Sequence, residues 1–120
     1  MSLVARHIEA AGIPTVIIGS AIDIVEHCGV PRFLFTDFPL GNPCGQPWQR
    51  GMQRDVLRRA LSMLEAAKVP RTTAKAPYQW WDAGDWRARY SRVEPHDRGR
   101  LQALGDQRRV TQANAKARRS

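Results

Sequence analysis

The sequence predicts an α/β fold: a fragment of a Rossmann-like parallel sheet, in the order helix, strand, helix, strand, loop, helix, followed by an extended C-terminal tail. Three observations predict it. Two short runs, Thr15-Val16-Ile17-Ile18 and Arg32-Phe33-Leu34-Phe35-Thr36, are continuously apolar or β-branched rather than alternating, as strands covered on both faces are. Segments with apolar residues at three- and four-residue spacing lie before, between and after them. Glycine and proline separate nearly every segment from the next.

The first helix spans 3–11, with Leu3, Val4, Ile8 and Ala11 on one face; Gly12 and Pro14 end it. Gly19 closes the first strand. Ser20 and Asp23 resemble a capping box, and Ala21, Ile22, Ile24 and Val25 supply the apolar face of a second helix that Gly29 and Pro31 stop. Cys28 falls at the negative end of that helix, where a thiolate is disfavoured, so it reads as a packed small residue. His7 and His27 read as surface residues of the two helices. After the second strand and a loop, Met52, Val56, Leu57, Ala60, Leu61 and Leu64 form one face of a helix from about Met52 to Ala67. Asp55 and Arg59 make an i,i+4 pair on its other side. Right-handed crossovers are expected between the strands.

Two strands are too few for a free-standing sheet. The 120-residue chain is 42% hydrophobic, yet its long aliphatic runs precede Ala67. A unit that small is marginal alone, so a partner chain is expected to complete it. The expected organisation is an α/β domain at 1–69, an aromatic linker or docking arm at 70–94, and a basic, disordered tail at 95–120.

Charge is concentrated at the end. From Trp86 to Ser120, ten Lys or Arg stand against Glu94, Asp97 and Asp106, so this segment carries +7 of the formal +8. Such a tail suits a solvated arm or a clamp on an acidic partner; nucleic acid is not the expected partner. Tyr78, Trp80, Trp81, Trp86 and Tyr90 show no period and suit docking into a partner; folding back over the domain is the second option and base stacking the third. No apolar run approaches the length of a membrane span, and no signal peptide is visible. With two cysteines only, the chain reads as cytoplasmic and carries no metal-ligand spacing; nothing in it names a cofactor.

The candidate site is Asp37-Phe38-Pro39-Leu40-Gly41-Asn42-Pro43-Cys44-Gly45, directly beyond the carboxyl end of the second strand, where open α/β sheets bind ligands. Two prolines and two glycines shape it. Backbone N–H groups of Gly41, Asn42 and Gly45 offer donors to an anionic substrate group, and the Asn42 side chain adds another. Cys44 is the local residue capable of nucleophilic or redox chemistry. Asp37 suits an acid/base role or a turn cap. Arg32 suits orienting a carboxylate or a structural contact. A plain β-to-α connection with an incidental cysteine is the alternative for the whole stretch.

Four stretches, Ile8-Glu9-Ala10-Ala11-Gly12-Ile13-Pro14-Thr15-Val16, Gly29-Val30-Pro31-Arg32, Pro39-Leu40-Gly41-Asn42-Pro43 and the helix Met52–Glu65, resemble the C-terminal part of the B component of glycine/sarcosine/betaine reductases, and especially its cysteine-containing relatives. About half the chain is covered. Phe38 and Asn42 stand where that family's pattern has His and Asp, and Cys44 lies outside the pattern. The family's reactive selenocysteine or cysteine belongs to an upstream half that these residues do not match. The resemblance implies the small subunit of a split, heteromeric reductase-like enzyme, in which a larger thiol- or selenol-containing subunit shares the site and a carbon–heteroatom bond of a small-molecule substrate is cleaved. A non-catalytic accessory subunit, acting through the aromatic and basic tail, is the alternative.

Overall fold

In the computed structural model, which describes residues 1–81, 85–90 and 92–118, the first 87 residues and residues 88–120 form two separate units. The first contains α1 (Ser2–Ala10), β1 (Ile17–Gly19), α2 (Ile22–Cys28), β2 (Arg32–Phe35), α3 (Arg50–Ala66) and β3 (Thr72–Lys75). A short α4 (Asp85–Tyr90) begins within it. The fold class is α/β, with a parallel three-stranded sheet in the order β1-β2-β3.

The third strand departs from the sequence expectation. Thr72-Thr73-Ala74-Lys75 carries no aliphatic run and reads as linker, yet it pairs along the whole of β2, from Arg32↔Thr72 to Phe35↔Lys75. As an edge strand with Thr73 and Lys75 exposed, β3 needs apolar character on one face only. Central β2 has no such freedom: Phe33 and Leu34 are each 1% exposed and face opposite sides. Its continuous apolarity follows from that double burial.

Two hydrophobic clusters cover the two faces. Leu34 packs with Val56, Ala60 and Met63 of α3 and with Ala76, while Ile18, Met52, Ala74 and Tyr78 border them. Phe33 packs with Val25 of α2 and Val30, bordered by Ile17, Ile22 and Phe35. Helices α2 and α3 therefore lie on opposite faces. Because both connections step the same way across a parallel sheet, they must have opposite hands. One crossover breaks the right-handed expectation.

Local signals held unevenly. Gly29 caps α2 in the left-handed conformation, with φ 72°, as its position demands. The capping box is overturned: α2 starts after Ala21 with no side-chain cap, and the Ser20 hydroxyl is buried without a partner. Residues 98–117 form helix α5, preceded by a 3-10 turn at Pro95–Asp97. Arg108 and Arg109 lie within that helix and Arg119 lies outside the described residues. No helix among the described residues is long and apolar enough to cross a membrane.

A polar cluster joins α1 to the start of the sheet. The Arg32 Nη1 donates to Glu9 Oε1 at 2.8 Å and to the Thr15 carbonyl at 3.3 Å. Glu9 Oε1 also accepts from the Thr15 N–H and, at 3.0 Å, from the Thr15 hydroxyl. Burial pushes the Glu9 carboxyl up, but the Thr15 donors and the Arg32 guanidinium outweigh it and hold the pKa below its ordinary 4.5. A depressed carboxylate pKa stabilises the fold above the unfolded value, and that contribution is lost as pH falls through the folded one. Urea midpoints measured against pH are thus expected to fall below about pH 4.5. Glu9→Gln is expected to be less stable at neutral pH and to show a shallower acid limb; an unchanged limb would contradict the assignment.

Candidate functional site

Everything in the 37–45 loop hangs from Thr36, the residue after β2. Thr36 is fully buried. Its N–H donates to the Gly19 carbonyl at 2.9 Å, extending the β1–β2 ladder by one residue. Its hydroxyl donates to the Pro43 carbonyl at 2.8 Å. A strand end thus grips the far side of the loop across seven residues. Phe38 is buried beneath, its ring 5.5 Å from that of Trp80, and its N–H donates to the Thr36 carbonyl at 2.8 Å.

Two consecutive turns follow. The Asn42 N–H donates to the Pro39 carbonyl at 3.1 Å, with Gly41 at φ 93° in the third position, where a turn of this kind needs a glycine. The Gly45 N–H donates to the Asn42 carbonyl at 3.2 Å. The N–H groups of Asn42 and Gly45, expected to face an anion, donate inside the loop, because the chain reverses direction twice in seven residues. Gly45, at φ 118°, also lies so close to Met52 that a Cβ would sit 3.2 Å from its Sδ. Gln46, 5% exposed, passes the loop to α3: its carbonyl accepts from the Gln53 amide at 2.7 Å.

The loop's outer side is open. Cys44 is a free, exposed thiol, and Leu40 is exposed as well. Just beyond, Trp48 is 91% exposed and holds φ 64°, a left-handed conformation that costs a non-glycine residue energy. Sequence reasoning missed Trp48; the signal was Pro47 before it, with Gln49 N–H closing a turn onto the Gln46 carbonyl at 3.3 Å.

The predicted site residues do not all converge. Asp37 stands beside the loop, half-buried, and its carboxylate is paired with the Arg87 guanidinium. Arg87 lies fifty residues on and carried no sequence signal. Arg32 is at the amino end of β2, opposite the loop, and its guanidinium is committed to Glu9. Arg32 thus contacts Glu9 and Thr15, away from the loop. Cys28 likewise ends α2 at that opposite end, its carbonyl accepting from Arg6 Nη1 at 3.2 Å.

The aromatic segment folds back in part over the α/β unit. Trp80 stacks at a tilt on Phe38, and the Tyr78 hydroxyl donates to Asp55 at 2.8 Å. Arg59 donates to the same Asp55 oxygen at 2.6 Å. These two donors, Arg59 first, hold the Asp55 carboxyl below its ordinary value, and the Asp55 carboxylate raises the Tyr78 hydroxyl above its own. Trp81 remains exposed. Among the described residues, no group of three or more His, Cys, Asp or Glu is placed to hold a metal ion.

Removing the Thr36 hydroxyl leaves a loop carbonyl without its donor, so Thr36→Val is expected to cost about 1–3 kcal/mol in urea denaturation. It should also speed amide exchange at Asn42 and Gly45; unchanged exchange would mean the loop holds without this bond. Trp48→Gly releases the left-handed strain and is expected to keep or raise the urea midpoint, by up to about 1 kcal/mol.

Comparison with known proteins finds similarity to a reductase subunit. No protein-family model matches the chain, and no solved structure matches it. The D-proline reductase subunit gamma of Acetoanaerobium sticklandii is 31% identical over 78 residues, which is 65% of this chain and 32% of that protein. The chain thus spans about a third of the length of the curated relative it matches, and across that span it is similar to part of one subunit of a multi-subunit reductase.

Proposed function

We propose that this chain is the small subunit of a heteromeric, reductase-like enzyme that acts on a carbon–heteroatom bond by thiol chemistry. The 37–45 loop is its contribution to a site shared with a larger thiol- or selenol-bearing subunit, related to the B component of glycine reductases. The observation that carries this is an exposed Cys44 on a loop locked to the end of the central strand, in a chain similar to a reductase subunit.

Electron counting supports a partner. Reductive cleavage of a carbon–heteroatom bond consumes two electrons and two protons, which two thiols deliver on becoming one disulfide. The chain has two cysteines, and Cys28 lies at the opposite end of β2 from Cys44. In this reading the larger subunit supplies the second chalcogen. Asp37, beside the loop, serves as the acid/base group once Arg87 yields it; Asn42 and Gly41 position the substrate. The small sheet supports the same reading, since three strands with β1 and β3 at the edges are few for a free-standing sheet.

The accessory-subunit reading draws on α5, whose described residues are almost all exposed and which carries a basic excess. Mutation separates the two.

Native mass spectrometry of the untagged protein from its own cells is expected to show a stable complex with a larger chain containing cysteine or selenocysteine. D-proline, named by the relative, is the first compound to assay with it. Cys44→Ala is expected to lower turnover at least about a hundredfold, of the order lost with a chemical group, while the complex stays intact. Full activity of Cys44→Ala, together with dissociation on deleting residues 88–120, would instead make the chain an accessory subunit.

A further inference from the structure

We propose that the cleft at the carboxyl ends of β2 and β3 binds a small organic carboxylate, with the Lys75 ammonium as its counter-ion. The cleft measures about 440 Å³ and is lined by Asp37, Lys75, Ala76, Pro77, Tyr78 and Gln79. That volume suits a small molecule, and the place is where parallel sheets bind ligands.

The charges around it decide the class of ligand. The Asp37 carboxylate is neutralised by Arg87. The Tyr78 hydroxyl is spent on Asp55. Lys75 is left: its Nζ lies 5.8 Å over the Phe35 ring, and it has no carboxylate partner among the described residues. The cleft therefore carries one uncompensated positive charge. A ring face beneath an ammonium holds it in place without neutralising it. Pro77 and the ring of Tyr78 supply the apolar part of a wall that Gln79 makes partly polar, so the complementary ligand is a small monoanion with an organic body. An edge-strand lysine serves solubility in many sheets; here it also stands at the mouth of a cleft whose other charges are already paired.

This cleft shares Asp37 with the site proposed above, but its binding needs no larger subunit and is read on the full chain alone. Benzoate is the probe and benzamide, of the same shape without charge, the control. In a titration followed by amide chemical shifts, benzoate is expected to move Asp37, Ala76 and Gln79 saturably, and benzamide is expected not to. Lys75→Gln, an exposed position, is expected to weaken benzoate about fivefold, as loss of one solvent-facing ion pair does. Arg54→Gln, on the outer face of α3, should leave it unchanged. In the unaltered chain, raising ionic strength from about 0.01 M to about 0.15 M should weaken binding as well. Equal shifts with benzamide, non-saturating shifts, or undiminished binding by Lys75→Gln would each overturn the assignment.

Discussion

One hydroxyl decides whether this chain has a shaped loop at the end of its central strand. Thr36 belongs to two structures at once: its backbone extends the β1–β2 ladder through Gly19, and its side chain holds the Pro43 carbonyl. Because the residue is fully buried, neither bond competes with water, and both are strong for that reason. The loop's own turns then close around this fixed point, and Phe38 fills the space below it against Trp80. What remains for solvent is the outer edge, with Leu40, Cys44 and Trp48. A thiol held on a rigid support needs less ordering when it meets a partner or substrate than one on a mobile segment.

The sheet that carries the loop is small and open. Three parallel strands with a helix on each face bury two modest clusters, and many large apolar residues stay exposed, among them Leu3, Ile24, Leu57, Leu61 and Val69. Opposite-handed crossovers are what allow both faces of so few strands to be covered by consecutive helices; a pair of right-handed crossovers in this strand order would stack α2 and α3 on one side. Coverage of β2 on both faces is what the arrangement gains, and β2 is the strand that positions Thr36.

Long-range pairs set the electrostatics. Glu9 meets Arg32 across 23 residues, Tyr78 meets Asp55 across 23, and Arg87 meets Asp37 across 50. Each pairs a group from one end of the unit with a group in its middle, so the aromatic segment after β3 is tied to the α/β unit by polar as well as ring contacts. Among the described residues, Lys75 is a charge at the strand ends without a carboxylate partner. The basic residues of α5 pair locally instead, as Arg100 with Asp97 and Arg109 with Asp106, which is what a helix with a solvated surface does.

The sequence by itself determined the α/β class, the three helices around the sheet, both aliphatic strands and the position of a turn-rich loop after the second. These are local matters: burial period, β-branching, and the backbone limits of proline and glycine act within a few residues. Only the tertiary structure decided the rest. β3 is polar enough to pass for a linker because an edge strand is buried on one face; its strand state comes from pairing with β2. Arg32 is paired with Glu9 because the fold brings α1 to the amino end of β2. The N–H groups of Asn42 and Gly45 are spent because the loop folds on itself, and Trp80 is drawn back because Phe38 leaves a surface for it. Such outcomes depend on partners far away in the chain, and a residue's own neighbours carry no record of them.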